Sequence, residues 1–210
     1  MNHSTSKASV MVDELASLYR AASSPTTSGA VVYSEDRPTV RQLLRDAVLS
    51  LASSTASGPE EAIVVPVYVN MRTVLLDDHA VAWALYFIVQ AIGEASSIFT
   101  CQEESPSVRM PDWEFVQCMP GAAFIHYIRA FQDAFHCRLI LVLDEFTEVL
   151  NYEKHLDLDS FTGFFKALID SAYCSFLLGG DQRFGELLRR YPNHFAICSM
   201  LVNMDALACP

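Results

Sequence analysis

Arg138-Leu139-Ile140-Leu141-Val142-Leu143-Asp144-Glu145-Phe146 decides the fold of this chain. Five consecutive aliphatic residues, Leu139 to Leu143, stand between an arginine and an acidic pair. A run so short and so apolar predicts a strand buried on both faces, as in the middle of a parallel sheet. Open α/β sheets bind ligands beyond the carboxyl ends of their strands, which is where Asp144 and Glu145 fall. Two readings of the pair stand side by side: a metal and water site, or acidic residues that cap the next turn.

The flanks of this strand alternate between helical and extended patterns. Upstream, Phe124, Ile128, Phe131 and Phe135 recur at helical spacing and predict a helix over about 120–136. Downstream, Phe146 to Tyr152 reads as a helical turn and Leu156 to Asp159 as a loop ending near a Ser160 cap. Phe161, Phe164, Phe165, Leu168 and Ile169 mark a further helix with an aromatic core face. Ser175 to Gly180 reads as a strand stopped by two glycines. Phe184, Leu187, Leu188 and Tyr191 read as a short helix, and Phe195 to Val202 as the last strand.

Toward the N-terminus, a short helix is predicted over about 10–22 and a loop over 23–29. Ala30-Val31-Val32-Tyr33 reads as a short buried strand. Val40, Leu43, Leu44, Ala47, Val48 and Leu51 then trace one helical face, with Pro38 in the first turn, where proline is tolerated. A polar turn over 54–61 leads to the strand Ile63 to Asn70. Pro66 lacks an N–H for a ladder and places that strand at a sheet edge. Val81, Leu85, Ile88 and Ile92 form the inner face of a helix over about 78–95, with Asp77 or Asp78 as its cap. Residues 96–118, with Pro106 and Pro111, carry little periodicity and read as an irregular insertion or contact surface. Alternating strands and helices imply an α/β fold: a three-layer sandwich around a mostly parallel five-stranded sheet.

Composition narrows the function. At 210 residues the chain suffices for one domain with a sizeable core. A net charge of −11 supplies no basic stripe, which argues against nucleic acid and against anionic membranes as partners. The six cysteines lack metal-ligand spacing, and scattered apolar thiols fit a reducing compartment. With no apolar leader and no apolar run of membrane-spanning length, the expected location is cytoplasmic.

Three stretches together resemble the nucleotide-binding core of the STAND and AAA-type P-loop ATPases. Val64 to Arg72 is similar to the strand that follows the phosphate-loop helix in that family. Leu141-Val142-Leu143-Asp144-Glu145-Phe146 is similar to its Walker B strand. Phe176 to Phe184, running on to Pro192, resembles its sensor 1 strand and the segment after it. The resemblance implies Asp144 as a Mg²⁺ ligand, Glu145 as the base that polarises water, and Arg183 as a sensor or trans-acting arginine. The plainer reading of Arg183 is an exposed residue at a helix start. The family's strand order would set the first strand beside the fourth.

One departure decides the expected activity. A working P-loop reads G-x-x-x-x-G-K-[ST], with glycines that let backbone amides wrap the phosphates. The matching stretch is Ser34-Glu35-Asp36-Arg37-Pro38-Thr39-Val40-Arg41. Ser34 and Thr39 replace the glycines, Val40 the lysine, and Arg41 the Mg²⁺-ligating hydroxyl. Pro38 removes an amide, and Glu35 with Asp36 adds negative charge. Arg37 or Arg41 supplies part of the missing lysine's charge. The chain also ends after the fifth strand, where family members continue into a helical lid and further domains. The expectation is an N-terminal helix and lead-in over 1–28 followed by a degenerate ATPase-like core over 29–210. That core would have lost efficient ATP binding and act as a regulatory or interaction module with a protein partner or a second copy. Two alternatives remain: an ATP- and Mg²⁺-dependent ATPase with a non-standard loop, and an unrelated α/β enzyme using Asp144 and Glu145 with a metal. A piece of a longer protein is also compatible with the sequence.

Overall fold

The computed structural model describes residues 29–53, 63–74, 80–95, 108–154, 156–170, 173–196 and 198–208. The helix expected over 10–22, the turn at 54–61 and the Asp77 or Asp78 cap lie outside them. The strands are β1 (Gly29–Tyr33), β2 (Ile63–Asn70), β3 (Cys137–Asp144), β4 (Ser175–Gly180) and β5 (Cys198–Asn203). The helices are α1 (Arg37–Ser53), α2 (Ala80–Ala95), α3 (Trp113–Cys118), α4 (Pro120–Phe135), α5 (Leu158–Asp170), α6 (Phe184–Arg190), α7 (Pro192–Phe195) and α8 (Met204–Ala208). Two 3-10 turns, Met71–Thr73 and Phe146–Tyr152, follow β2 and β3.

All strand pairs are parallel and the order is β2-β3-β4-β1-β5, so β1 lies beside β4 and the Pro66 strand is an edge. The connection from β1 to β2 runs one way across the sheet and the other three run back. Right-handed crossovers therefore put α1 on one face and the remaining packed helices on the other. The burial pattern agrees. Ala30, Val32, Ile140, Val142 and Leu177 pack under Val40, Leu43, Leu44, Ala47 and Leu51 of α1. The alternate residues Val31, Leu139, Leu141, Leu143, Phe176 and Leu178 join α2, α4, α5 and α6 on the opposite face. Both faces of β3 are thus covered, which is why its sequence is continuously apolar rather than alternating.

Phe146 organises the region just beyond β3. It is fully buried, and the rings of Phe161, Phe165, Phe184 and Phe195 lie 5.6–6.4 Å from its own. Full burial of such a ring contributes about 1.5–3 kcal/mol. Carrying Phe146 inward directly after the strand obliges Glu145 to take a left-handed backbone, with φ 54° and ψ 34°. For a residue other than glycine this conformation is costly and needs surrounding contacts to hold it.

Three boundaries differ from the sequence expectation. Helix α5 starts at Leu158, not near Ser160. Asp157 accepts from the amides of Asp159 and Ser160, so the cap is Asp157, inside the stretch expected to be a loop, rather than Ser160. Strand β5 starts at Cys198, because Pro192 opens a short helix that takes Phe195 into the aromatic cluster. Within 96–118, residues Trp113–Cys118 form a helix, with Val116 packed against Ala82 and Ala123. Of the expected inner face of α2, Leu85, Ile88 and Ile92 are buried, while the Val81 side chain lies outside the described residues.

Candidate functional site

The register sets the strand ends in one row. Asn70 pairs with Asp144, Leu143 with Leu178, and Tyr33 with both Gly180 and Asn203. Asp144, Glu145, Ser34, Asp181 and Asp205 therefore gather at the carboxyl edge, over the β1–β4 boundary where the crossover direction reverses. This topological switch point is the default ligand position in an open parallel sheet.

Two arginines from the start of α1 reach into that edge. The Arg41 Nε donates to Asp144 Oδ2 at 3.0 Å, and its Nη2 donates to Glu145 Oε1 at 2.5 Å. The Arg37 Nη1 donates to Glu145 Oε2 at 3.1 Å and Glu148 Oε1 at 3.2 Å, while its Nη2 donates to Asp181. Glu145 is thus held by both guanidinium groups, and its side chain is only 3% exposed. Asp144 has no idle oxygen: Oδ2 also accepts from the Tyr68 hydroxyl at 2.5 Å, and Oδ1 accepts from the Glu145 amide at 2.8 Å. Burial, reinforced by the hydrogen bond to Asp144, pushes the Tyr68 hydroxyl up to about 12. The hydrogen bond to Asp144 likewise raises the Arg41 guanidinium above its ordinary value.

Arg183 forms the other wall. It donates to both oxygens of Asp181, to Glu148 Oε1 at 2.9 Å and to Asn151 Oδ1 at 2.8 Å. It stands at the start of α6 but is half-buried rather than exposed, and its guanidinium bridges the end of β4 to the turn after β3. Burial alone would raise the Asp181 carboxyl, but the hydrogen bonds and charge of Arg183, with the charge of Arg37, hold it below the usual range. Gly180 permits this approach, because a Cβ there would come within 2.7 Å of Thr147 Cγ2 and 2.9 Å of Phe184 Cδ2.

The stretch aligned with a phosphate loop is mostly helix. Tyr33 ends β1 and Arg37 starts α1, leaving Ser34, Glu35 and Asp36 as the whole turn. Val40 is buried in the α1 face and Thr39 lies in the first helical turn. Every amide from Ser34 to Val40 has an acceptor. Ser34 donates to the Gly180 carbonyl, Glu35 to Asp205 Oδ2, Asp36 to Ser34 Oγ and Arg37 to the Glu35 carbonyl. Pro38 has no N–H, Thr39 faces Asp36 Oδ1 and Val40 donates to the Asp36 carbonyl. The helix N-terminus, where a phosphate would sit, is capped by the Asp36 carboxylate. No glycine among the described residues has a positive φ. As arranged, these residues do not fit a nucleotide polyphosphate. The carboxylates are engaged by guanidinium groups, and among the described residues no group of three His, Cys, Asp or Glu side chains is placed to hold a metal ion.

Sequence reasoning singled out Ser34, Arg37, Thr39, Val40, Arg41, Asp144, Glu145 and Arg183. The structure brings Arg37, Arg41, Asp144, Glu145 and Arg183 into one network, joins Ser34 to its edge and sends Val40 into the core. It adds Tyr68, Glu148, Asp181 and Asp205. Glu148 carried a local signal, three residues after Glu145 on a helical turn, and Asp181 directly follows the paired glycines. Asp205 carried none.

No protein-family model matches the sequence, and no curated protein matches it. Solved structures do. The ORC2 protein of Aeropyrum pernix in its ADPNP–ADP complexes aligns with 97% of this chain at a TM-score of 0.59 and 14% identity. The ADP form of the same protein aligns with 94% at 0.61 and 15% identity. The chain spans about half the length of these structures, 48% and 47% respectively. At such identity the likeness concerns the fold, and the chain has a P-loop ATPase-like α/β fold. No helix among the described residues is long and apolar enough to cross a membrane.

Proposed function

We propose that this chain is an ATPase-like domain that has lost efficient ATP binding and hydrolysis and serves as a regulatory or protein-interaction module. The observation that carries this reading is the occupied state of the β1–α1 turn: each amide a phosphate would use already has an acceptor within the chain. Arg37 and Arg41 supply the positive charge against Asp144, Glu145, Glu148 and Asp181 that a bound cation supplies in a working site. In this reading Asp144 and Glu145 are counter-ions of an internal network, and Arg183 is its third cation.

The expected partner is another protein or a second copy of the chain, since the net charge of −11 disfavours nucleic acid and anionic membranes. Cys118, Cys137, Cys174 and Cys198 are all free thiols, which supports a reducing, cytoplasmic setting.

Calorimetric titration of the folded chain with a non-hydrolysable ATP analogue, with and without Mg²⁺, tests the reading. The expected result is no heat of binding at millimolar nucleotide. A micromolar, Mg²⁺-dependent signal, about −8 kcal/mol, would replace it with an ATP-binding enzyme whose loop is non-standard. Arg37, Arg41, Asp144 and Glu145 would then be the first residues to substitute.

A further inference from the structure

A chain of hydrogen bonds runs from the last described helix into the first turn of α1. Asp205, on α8, accepts from the Ser34 hydroxyl at 2.5 Å and from the Glu35 amide at 2.9 Å. Its own amide donates to Asn203 Oδ1 at 3.0 Å, which fixes α8 to the end of β5. The Ser34 hydroxyl has a single proton, and Asp205 takes it; the oxygen is then free to accept the Asp36 amide at 3.1 Å. Asp36 in turn caps α1, accepting from the Thr39 amide and from the Thr39 hydroxyl at 2.5 Å. Gln182, from the loop after β4, donates to Glu35 and ties the same turn to the Asp181–Arg183 wall. The order is therefore Asp205, Ser34, Asp36, first turn of α1. That first turn carries Arg37, and Arg41 lies one turn further along.

We propose that the β5–α8 corner is a latch: through Asp205 and Ser34 it sets the seating of the first turn of α1, and so holds Arg37 among Glu145, Glu148 and Asp181. Displacing α8 opens the turn and releases Arg37 together with it. The proposal rests on the regulatory reading above and gives that site a handle. The hydrogen-bond sequence predicts a directional effect. Loss of Asp205 is felt at Asp36 and Thr39, which do not touch it, whereas loss of the Asp36 cap leaves the Asp205–Glu35 contact in place.

Hydrogen exchange of the full chain at neutral pH, read residue by residue by NMR, tests the latch. In Asp205→Asn, the amides of Glu35, Asp36, Thr39 and Val40 are expected to exchange about tenfold faster, while Leu141 and Val142 in β3 keep their protection. In Asp36→Ala, which removes the cap, the acceleration is expected at Thr39 and Val40 with Glu35 still protected. Acceleration in Asp205→Asn confined to Glu35, with Asp36, Thr39 and Val40 unchanged, overturns the proposal. Should Asp205→Asn expose β3 as well, Ser34→Ala breaks the Ser34–Asp205 bond while leaving Glu35 on Asp205. It also removes the acceptor of the Asp36 amide, so the reading there is Thr39 and Val40, and unchanged exchange at both overturns the proposal. No nucleotide enters this experiment, so failure of the latch and failure of the nucleotide-free reading are separately visible.

Discussion

Glu145 has two cations, and that sharing makes its network strongly non-additive. In Arg37→Ala, Glu145 keeps Arg41, while Glu148 and Asp181 keep Arg183. The Arg37 side chain is 36% exposed, so solvent already screens its three ion pairs. Its loss is expected to cost about 1–2 kcal/mol. In Arg41→Ala, Glu145 keeps Arg37, and Asp144 keeps the Tyr68 hydroxyl and the Glu145 amide. The cost is again about 1–2 kcal/mol. Only the double variant leaves Glu145 with no guanidinium among the described residues, and its side chain is 3% exposed. A buried charge stripped of its partners costs about 3–5 kcal/mol. The double variant should therefore fall below the sum of the singles by about 1 kcal/mol. Urea denaturation at neutral pH followed by circular dichroism, with m-values compared across the four proteins, measures this. Adding Glu145→Gln to the double variant should recover most of the excess, since the orphaned charge is gone. Costs that add within about 0.5 kcal/mol would refute the reasoning, because Glu145 would then not depend on either arginine.

Two further outcomes follow from local geometry. His136 is exposed and caps α4 in a left-handed conformation, with φ 47° and ψ 46°, so His136→Gly should stabilise the chain by about 0.5–1 kcal/mol. A raised midpoint in thermal or urea unfolding checks it, and a lowered one refutes it. The pH dependence is set by carboxyls held low. The Ser34 hydroxyl lowers Asp205, and the arginines lower Asp181 against the opposing effect of its burial. A depressed folded value stabilises above the unfolded value and the benefit disappears as pH falls through the folded one. Stability should therefore hold through neutral pH and decline below about pH 4. The decline should be shallower in Asp181→Asn, and an identical acid profile for that variant would count against the network.

Much of the architecture was legible because it rests on local patterns. The uninterrupted run Leu139 to Leu143 marks a strand covered on both faces. The α1 repeat from Val40 to Leu51 marks a helix with one buried side, and Pro66 marks an edge. Each follows from backbone geometry and burial, which neighbouring residues express in their own spacing. The start of β5 moved where a distant cluster overrode the local pattern, Phe195 joining Phe146 and Phe184 instead of extending the strand. The start of α5 moved for a local reason, the Asp157 cap.

By itself the sequence determined the alternation of strands and helices, the acidic end of β3 and the absence of glycines where a phosphate loop needs them. Those are properties of composition and period. Only the tertiary structure decided what the replacements do: Arg37 meets Glu145, Glu148 and Asp181, Arg41 meets Asp144 and Glu145, and Ser34 meets Asp205, partners separated by 103 to 171 positions. Ion-pair partners carry no periodic signal, because any arginine can meet any carboxylate. Which ones meet depends on strand order, parallel register and the hand of the crossovers, and these arise only when the sheet is assembled.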